Sequence, residues 1–137
     1  RRFEYHMKGV TTLIEDYAHH PTELKALIDS LHEMYPEENI LLCFQPHLYS
    51  RTRDFFDGFV TQLKRVQRCI LLPIYAAREH PIEGVHSAAL AAQIPGSKIC
   101  TLEALPKAVL KENCDVVLIV GAGDIGDSIP QLKAVLR

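Results

Sequence analysis

The sequence predicts an α/β fold: a three-layer, doubly wound, Rossmann-like sheet, mostly parallel, with an antiparallel strand pair at its N-terminal end. Three observations carry this. Short unbroken apolar runs, Ile40-Leu-Leu-Cys-Phe44, Cys69-Ile-Leu-Leu72 and Val116-Val-Leu-Ile-Val120, have the pattern of strands buried on both faces. Between them apolar residues recur at helical spacing, as in Leu24, Leu27, Ile28 and Leu31. The two kinds of segment alternate, which builds parallel sheets covered by helices on both sides.

Each element follows in order. Residues 3–7 alternate apolar and polar, Lys8-Gly9 turns the chain, and residues 10–16 make a second strand antiparallel to the first. His20-Pro21-Thr22-Glu23 opens a helix, with Pro at the first helical position and Glu facing the positive end of the dipole. Pro36 ends it. Residues 40–44 form a strand. A helix from about Thr52 turns Phe55, Phe56, Phe59, Val60 and Leu63 inward. Residues 69–75 form the next strand, near an edge because of Pro73. A short Ala-rich helix spans 87–94 and a short strand 98–101. Leu102, Leu105, Val109 and Leu110 mark another helix. The most apolar strand spans 115–120, and Ile125, Ile129, Leu132 and Val135 or Leu136 mark the last helix.

The length, 137 residues, suits one domain, and 47% hydrophobic against 23% charged residues is globular usage that excludes disorder. Lys plus Arg number 15 and Asp plus Glu 17, a net charge of −2, so no basic excess points to nucleic acid or an anionic membrane. No apolar run nears the ~20 residues of a membrane span. Cys43, Cys69, Cys100 and Cys114 make no Cys-x-x-Cys pair. They read as buried free thiols of a reducing cytoplasm. No signal peptide is recognisable, and the opening Arg1-Arg2-Phe3, with no Met, leads us to expect a piece of a longer chain.

In such sheets ligands gather at the carboxyl ends of the strands. Those ends read Glu15-Asp-Tyr-Ala-His-His-Pro21, Gln45-Pro-His-Leu-Tyr-Ser-Arg-Thr-Arg53, Ala76-Ala-Arg-Glu-His80 and Gly121-Ala-Gly-Asp-Ile-Gly126. Four of the seven histidines, His19, His20, His47 and His80, lie there. His19 and His20 beside Asp16 suit either a metal or, for His20, a helix cap; adjacent residues on a turn point apart. His47 with Arg51 and Arg53 suits a phosphate or carboxylate, because Arg offers a planar fork of donors, or else a solvated basic turn. Gly121-x-Gly-x-x-Gly126 has dinucleotide-fingerprint spacing, but no acid follows ~20 residues on before Arg137. A turn whose amides face an anion, or turn geometry alone, fits better. His6 and His32 read as surface residues. The sequence has no Gly-x-x-x-x-Gly-Lys-[Ser/Thr] loop, no Gly-x-Ser-x-Gly elbow and no His-Glu-x-x-His.

Asp16-Tyr-Ala-His-His-Pro-Thr-Glu23, Phe44-Gln-Pro-His-Leu-Tyr-Ser-Arg-Thr52 and Gly121-Ala-Gly-Asp-Ile125, in that order and on strand ends, together resemble the C-terminal domain of the Mur ligases. Within that family the second motif resembles the branch that joins L-alanine to UDP-N-acetylmuramate more than the branch that recycles murein tripeptide. The resemblance implies a three-domain chain: an N-terminal domain for the UDP-sugar, a central one with the ATP phosphate loop, and this one. It implies ATP and Mg2+, held mainly by the central domain, and an ADP-forming reaction. ATP phosphorylates the substrate carboxylate, and the amine of the amino acid attacks the acyl phosphate. It also implies that this domain closes over the central one to complete the site and excludes water from the hydrolysable intermediate. The 137-residue piece alone is expected to be inactive, with no catalytic residue and no metal ligand of its own.

Residue by residue, the resemblance sets Asp16 and Tyr17 toward the nucleotide and the incoming amino acid. His19 and Arg51 surround the L-alanine carboxylate, with His47 lining the same pocket. Gly121, Gly123 and Asp124 lie toward the nucleotide. One departure stands out: Leu48 occupies a place where many family members carry Arg, leaving Arg51 or Arg53 to take over. A non-catalytic nucleotide- or anion-binding module and a free-standing flavodoxin-like protein are the other readings.

Overall fold

A computed structural model describes residues 2–137. Six strands form one sheet in the order β1-β2-β6-β3-β4-β5. They are β1 (Glu4–Lys8), β2 (Thr12–Asp16), β3 (Ile40–Phe44), β4 (Arg68–Leu71), β5 (Lys98–Ile99) and β6 (Val116–Val120). β1 runs antiparallel to β2, and the other pairings are parallel. The doubly wound architecture with an antiparallel first pair is therefore the one the sequence predicts.

β3 and β6 are buried at every residue, because each faces helices on both sides. Side chains alternate along β6. Val116, Leu118 and Val120 join a core with α1 (Pro21–Met34), α3 (Phe56–Leu63) and α4 (Ser87–Ala92). Val117 and Ile119 join the opposite core with α5 (Leu105–Glu112) and α6 (Ile129–Val135). Phe44 and Phe59 meet in the first core with ring centroids 5.6 Å apart. Each fully buried Leu, Ile or Phe contributes about 1.5–3 kcal/mol, so these two cores anchor the strand ends that carry the rim.

Several elements differ from expectation. The strand expected over 69–75 ends at Leu71, since Pro73 lacks an N–H for the ladder. The chain returns for one parallel bridge, His47 with Tyr75. The helix expected from Thr52 starts three residues earlier, as α2 (Tyr49–Asp54), and breaks at Phe55 before α3. Phe59 and Leu63 are buried as expected, but Phe55 is 42% exposed and lies on the His20 ring, centroids 4.5 Å apart. Leu110 and Val135 are also exposed. The last helix is divided into a 3-10 segment, Asp124–Ser128, and α6. His6 is not a free surface residue: its Nε2 lies 2.9 Å from Oε1 of buried Glu15. The four cysteines are free thiols, with Cys43, Cys69 and Cys114 buried. Among the described residues no helix is long and apolar enough to cross a membrane.

Candidate functional site

Parallel pairing of β2, β6 and β3 brings the loops after them onto one rim. Register sets Asp16 beside Val120 and Val120 beside Phe44. The ladder continues just past the strands, with Gly121 N–H donating to Asp16 O and Gln45 N–H to Val120 O.

The first loop is held by carboxylates. Asp16 is buried, and its two oxygens accept from the Phe3 amide at 2.8 Å and the Ala18 amide at 2.9 Å. Glu23 accepts from the amides of His19 and His20 while His20 Nδ1 accepts from Thr22 N–H, a reciprocal capping box at the start of α1. Burial alone would raise the Glu23 carboxyl; the His19 amide and the charges of His19 and Arg2, with the His20 amide, outweigh it and hold it below the usual range. Of the two readings for His20, the cap is the one seen. His19 Nδ1 lies 3.0 Å from Tyr17 O, and its ring meets Tyr17 edge-on at 5.7 Å. Tyr17 itself is 45% exposed, an aromatic face turned outward from the rim.

The second loop contributes the cation. His19 and His47 rings are 6.1 Å apart, and the other flank of His47 stacks on Tyr75, centroids 5.6 Å apart and planes 11° from parallel. Arg51, on the first turns of α2, sets Nη1 3.0 Å from His47 Nδ1. A guanidinium only donates, so Nδ1 accepts and the neutral ring carries its proton on Nε2. Burial lowers the His47 pKa below the usual histidine range, and the nearby charges of Arg51 and His19 act the same way. Arg53 is paired with Asp54 at 2.9 Å and well exposed, so Arg51 is the guanidinium that faces the rim. Leu48, the residue before α2, has φ 75°, a conformation uncommon for a side chain of this kind. It caps nothing. Instead Glu79, from the loop after β4, accepts from the Ser50 amide at 3.0 Å and from the Ser50 hydroxyl. Those bonds with Ser50 hold the Glu79 carboxyl below its usual range. His80, beside it, is exposed and takes no part in the cluster.

The third loop is filled from within. Gln45 Nε2 donates to Asp124 at 2.7 Å, and its Oε1 accepts from the Ile125 amide at 3.1 Å. Gly121 has φ 151°, and a Cβ there would stand 3.0 Å from Gln45 O. A Cβ on Gly123 would stand 2.5 Å from both Gln45 Oε1 and Tyr75 Cγ. The structure thus brings Tyr17, His19, His47 and Arg51 together on one side of the rim, and Gly121, Gly123 and Asp124 around Gln45 on the other. Gln45, Tyr75, Ser50 and Glu79 are the residues sequence reasoning passed over; the signal for Gln45 was its place directly after the apolar 40–44 run. Among the described residues, Glu4, His6 and Glu15 can bring one ligand atom each within 4.8 Å, away from these histidines.

Fold and rim define a class: a doubly wound α/β domain presenting one arginine and two histidines at its strand ends, without a phosphate loop. The chain belongs to the family described as Mur ligase, glutamate ligase domain, whose model matches residues 1–123. It is 42% identical over 140 residues to UDP-N-acetylmuramate–L-alanine ligase of Flavobacterium johnsoniae, which covers 100% of this chain and 31% of the relative. It is 44% identical over 139 residues to the enzyme of the same name from Christiangramia forsetii, covering 99% and 31%. The chain therefore spans just under a third of the length of these curated relatives. Among solved structures, UDP-N-acetylmuramate-alanine ligase of Thermotoga maritima superposes with TM-score 0.76 at 25% identity, over 98% of this chain and 29% of that one. A folylpolyglutamate synthase of Thermotoga maritima shares the fold, TM-score 0.67 at 19% identity, over 94% of this chain and 30% of its own.

Proposed function

We propose that this chain is the amino-acid-facing domain of an ATP-dependent, ADP-forming amide ligase that adds L-alanine to UDP-N-acetylmuramate in the cytoplasm during peptidoglycan synthesis. The observation that carries the reading is the Arg51 guanidinium, steadied by His47 Nδ1 at 3.0 Å and open to the rim beside His19 and Tyr17. An amino acid that must attack with a neutral amine still carries a carboxylate, which needs a fixed cation. Arg51 binds that carboxylate. His47, neutral, lines the pocket without repelling the ammonium form on arrival, and His19 and Tyr17 form its outer wall.

ATP supplies the phosphoryl group that activates the sugar-linked carboxylate, with Mg2+, and both belong mainly to a central domain outside this chain. The residues of this chain expected toward the nucleotide offer that group little. Both oxygens of Asp16 are occupied by amides, and Gly121, Gly123 and Asp124 pack around Gln45. No step is therefore assigned to them. The part of this domain in the chemistry is to hold the amino acid and, on closing against the central domain, to keep water from an acyl phosphate.

The test uses the full-length protein that contains this domain. ADP release is measured with ATP, UDP-N-acetylmuramate and a panel of amino acids and murein peptides. The reading expects release that depends on L-alanine, and none from the 137-residue chain alone. Release that depends on murein tripeptide instead would move the assignment to the recycling branch. Release that depends on no amine would refute it.

A further inference from the structure

The turn after β6 has the spacing of a phosphate cradle, yet the space such a cradle would leave is occupied. Over Gly123 stand Gln45 Oε1 and the Cβ and Cγ of Tyr75, within 2.5–2.7 Å of where a Cβ would be. The Ile125 amide, the N–H an anion at this turn would use, donates to Gln45 Oε1. Two side chains thus fill the cradle from the protein side.

Tyr75 then connects this turn to the pocket. Its backbone clamps the second loop from both directions, accepting from Leu48 N–H at 2.9 Å and donating to Pro46 O at 2.8 Å. Its ring lies flat on His47, and His47 Nδ1 in turn receives Arg51. The contacts run without a gap from Gly123 to Tyr75, His47 and Arg51.

We propose that the Gly121-Ala122-Gly123 turn is a socket for Gln45 and Tyr75, and that Gly123 and Tyr75 are positioning residues which orient His47 and Arg51 for the amino acid. The proposal rests on the amino-acid-binding reading above. Glycine is required at 123 because any side chain there would push the Tyr75 ring off its seat, and His47 would lose the surface that fixes its plane.

The experiment uses the full-length protein and steady-state kinetics with L-alanine and ATP varied separately, for Gly123→Ala, Tyr75→Leu, Tyr75→Phe and Arg51→Ala. His47 titration is followed in parallel by NMR of the labelled imidazole, whose neighbours in the fold are Arg51, His19, Glu79 and the Tyr75 ring. Removing an aromatic stack should raise the KM for L-alanine roughly 2- to 10-fold in Tyr75→Leu and in Gly123→Ala. The KM for ATP should hold. Tyr75→Phe, which keeps the ring, should behave as the parent, a rescue that general loss of stability would not produce. The His47 titration should move up in Tyr75→Leu, as the ring opens to water, and stay in Tyr75→Phe.

A raised KM for ATP with that for L-alanine unchanged in Gly123→Ala would overturn the proposal and make the turn a nucleotide cradle. An unmoved KM for L-alanine and unmoved His47 titration in Tyr75→Leu would overturn it too. If Arg51→Ala still raises that KM, the amino-acid reading survives the loss. If neither Arg51→Ala nor Tyr75→Leu changes it while the His47 titration moves, the amino-acid reading fails and the proposal falls with it. Should Gly123→Ala not fold, the two Tyr75 variants decide.

Discussion

Arg51 Nη1 approaches His47 twice, at Nδ1 (3.0 Å) and at the carbonyl oxygen (3.3 Å), four residues back along the chain. The pair is therefore a cation leaning on a neutral acceptor, and a second proton on the imidazole would remove that acceptor and add a like charge.

That relationship has a pH signature. Burial, with Arg51 and His19, sets the folded His47 pKa below its ordinary value of 6.5. A depressed histidine stabilises the fold fully above 6.5 and loses that contribution as pH falls through the lowered value. We expect the KM for L-alanine to be flat above about pH 6.5 and to rise on acidification. In His47→Gln, whose amide oxygen accepts without titrating, that rise should be absent from the pH–rate profile.

Gln45 is the linchpin of the third loop. Gln45→Leu leaves the Ile125 amide without its buried acceptor, a loss of about 1–3 kcal/mol by chemical denaturation. Gln45→Glu should be worse than Leu, because it sets a second carboxylate at the 2.7 Å contact now made with Asp124. Equal stability of all three proteins would show that the turn does not depend on Gln45.

Glu79 holds the N-terminal turn of α2 from outside the helix. Its carboxyl, lowered by the Ser50 bonds from 4.5, supports the fold above that value and ceases to do so as pH drops through the folded one. The melting temperature of Glu79→Gln should lie below the parent at neutral pH, and the two curves should converge in acid. Parallel curves down to the lowest pH would mean that the carboxylate charge is irrelevant.

His20 caps α1, and His20→Ala should cost about 0.5–2 kcal/mol. His20→Asn, which restores a capping acceptor, should recover most of it. Zinc should leave the parent's melting temperature unchanged; a zinc-dependent rise lost in His20→Asn would return this histidine to metal binding.

The layers and the mostly parallel sheet were legible because unbroken apolar runs leave a strand no exposed face, as in 40–44 and 116–120, whereas the order of the strands, with β6 between β2 and β3, came from the fold alone. The cap at His20 was legible as well, from Pro21 and Glu23. Phe55 misled because its apolar side chain implies a core position, whereas its backbone (φ −119°, ψ 26°) leaves the helix and lays the ring on His20. The Gly121-x-Gly123 spacing was ambiguous for a physical reason. Glycine marks a place where something comes close, and spacing does not tell a ligand from the protein's own Gln45 and Tyr75. Likewise nothing local in the sequence pairs Ser50 with Glu79, 29 residues away, since only the fold around β4 brings them together.

The central claim is that Arg51 holds the carboxylate of the incoming amino acid, and one measurement addresses it most directly: the KM for L-alanine of Arg51→Ala in the full-length protein, with the KM for ATP and the melting temperature taken alongside. Losing one charge-assisted contact costs about 1.5–3 kcal/mol, so a rise of roughly 10- to 150-fold is expected. ATP should be little affected, and Arg51→Lys should recover only part, because a point charge cannot reproduce the fork. An unchanged KM for L-alanine in a folded Arg51→Ala protein would contradict the account.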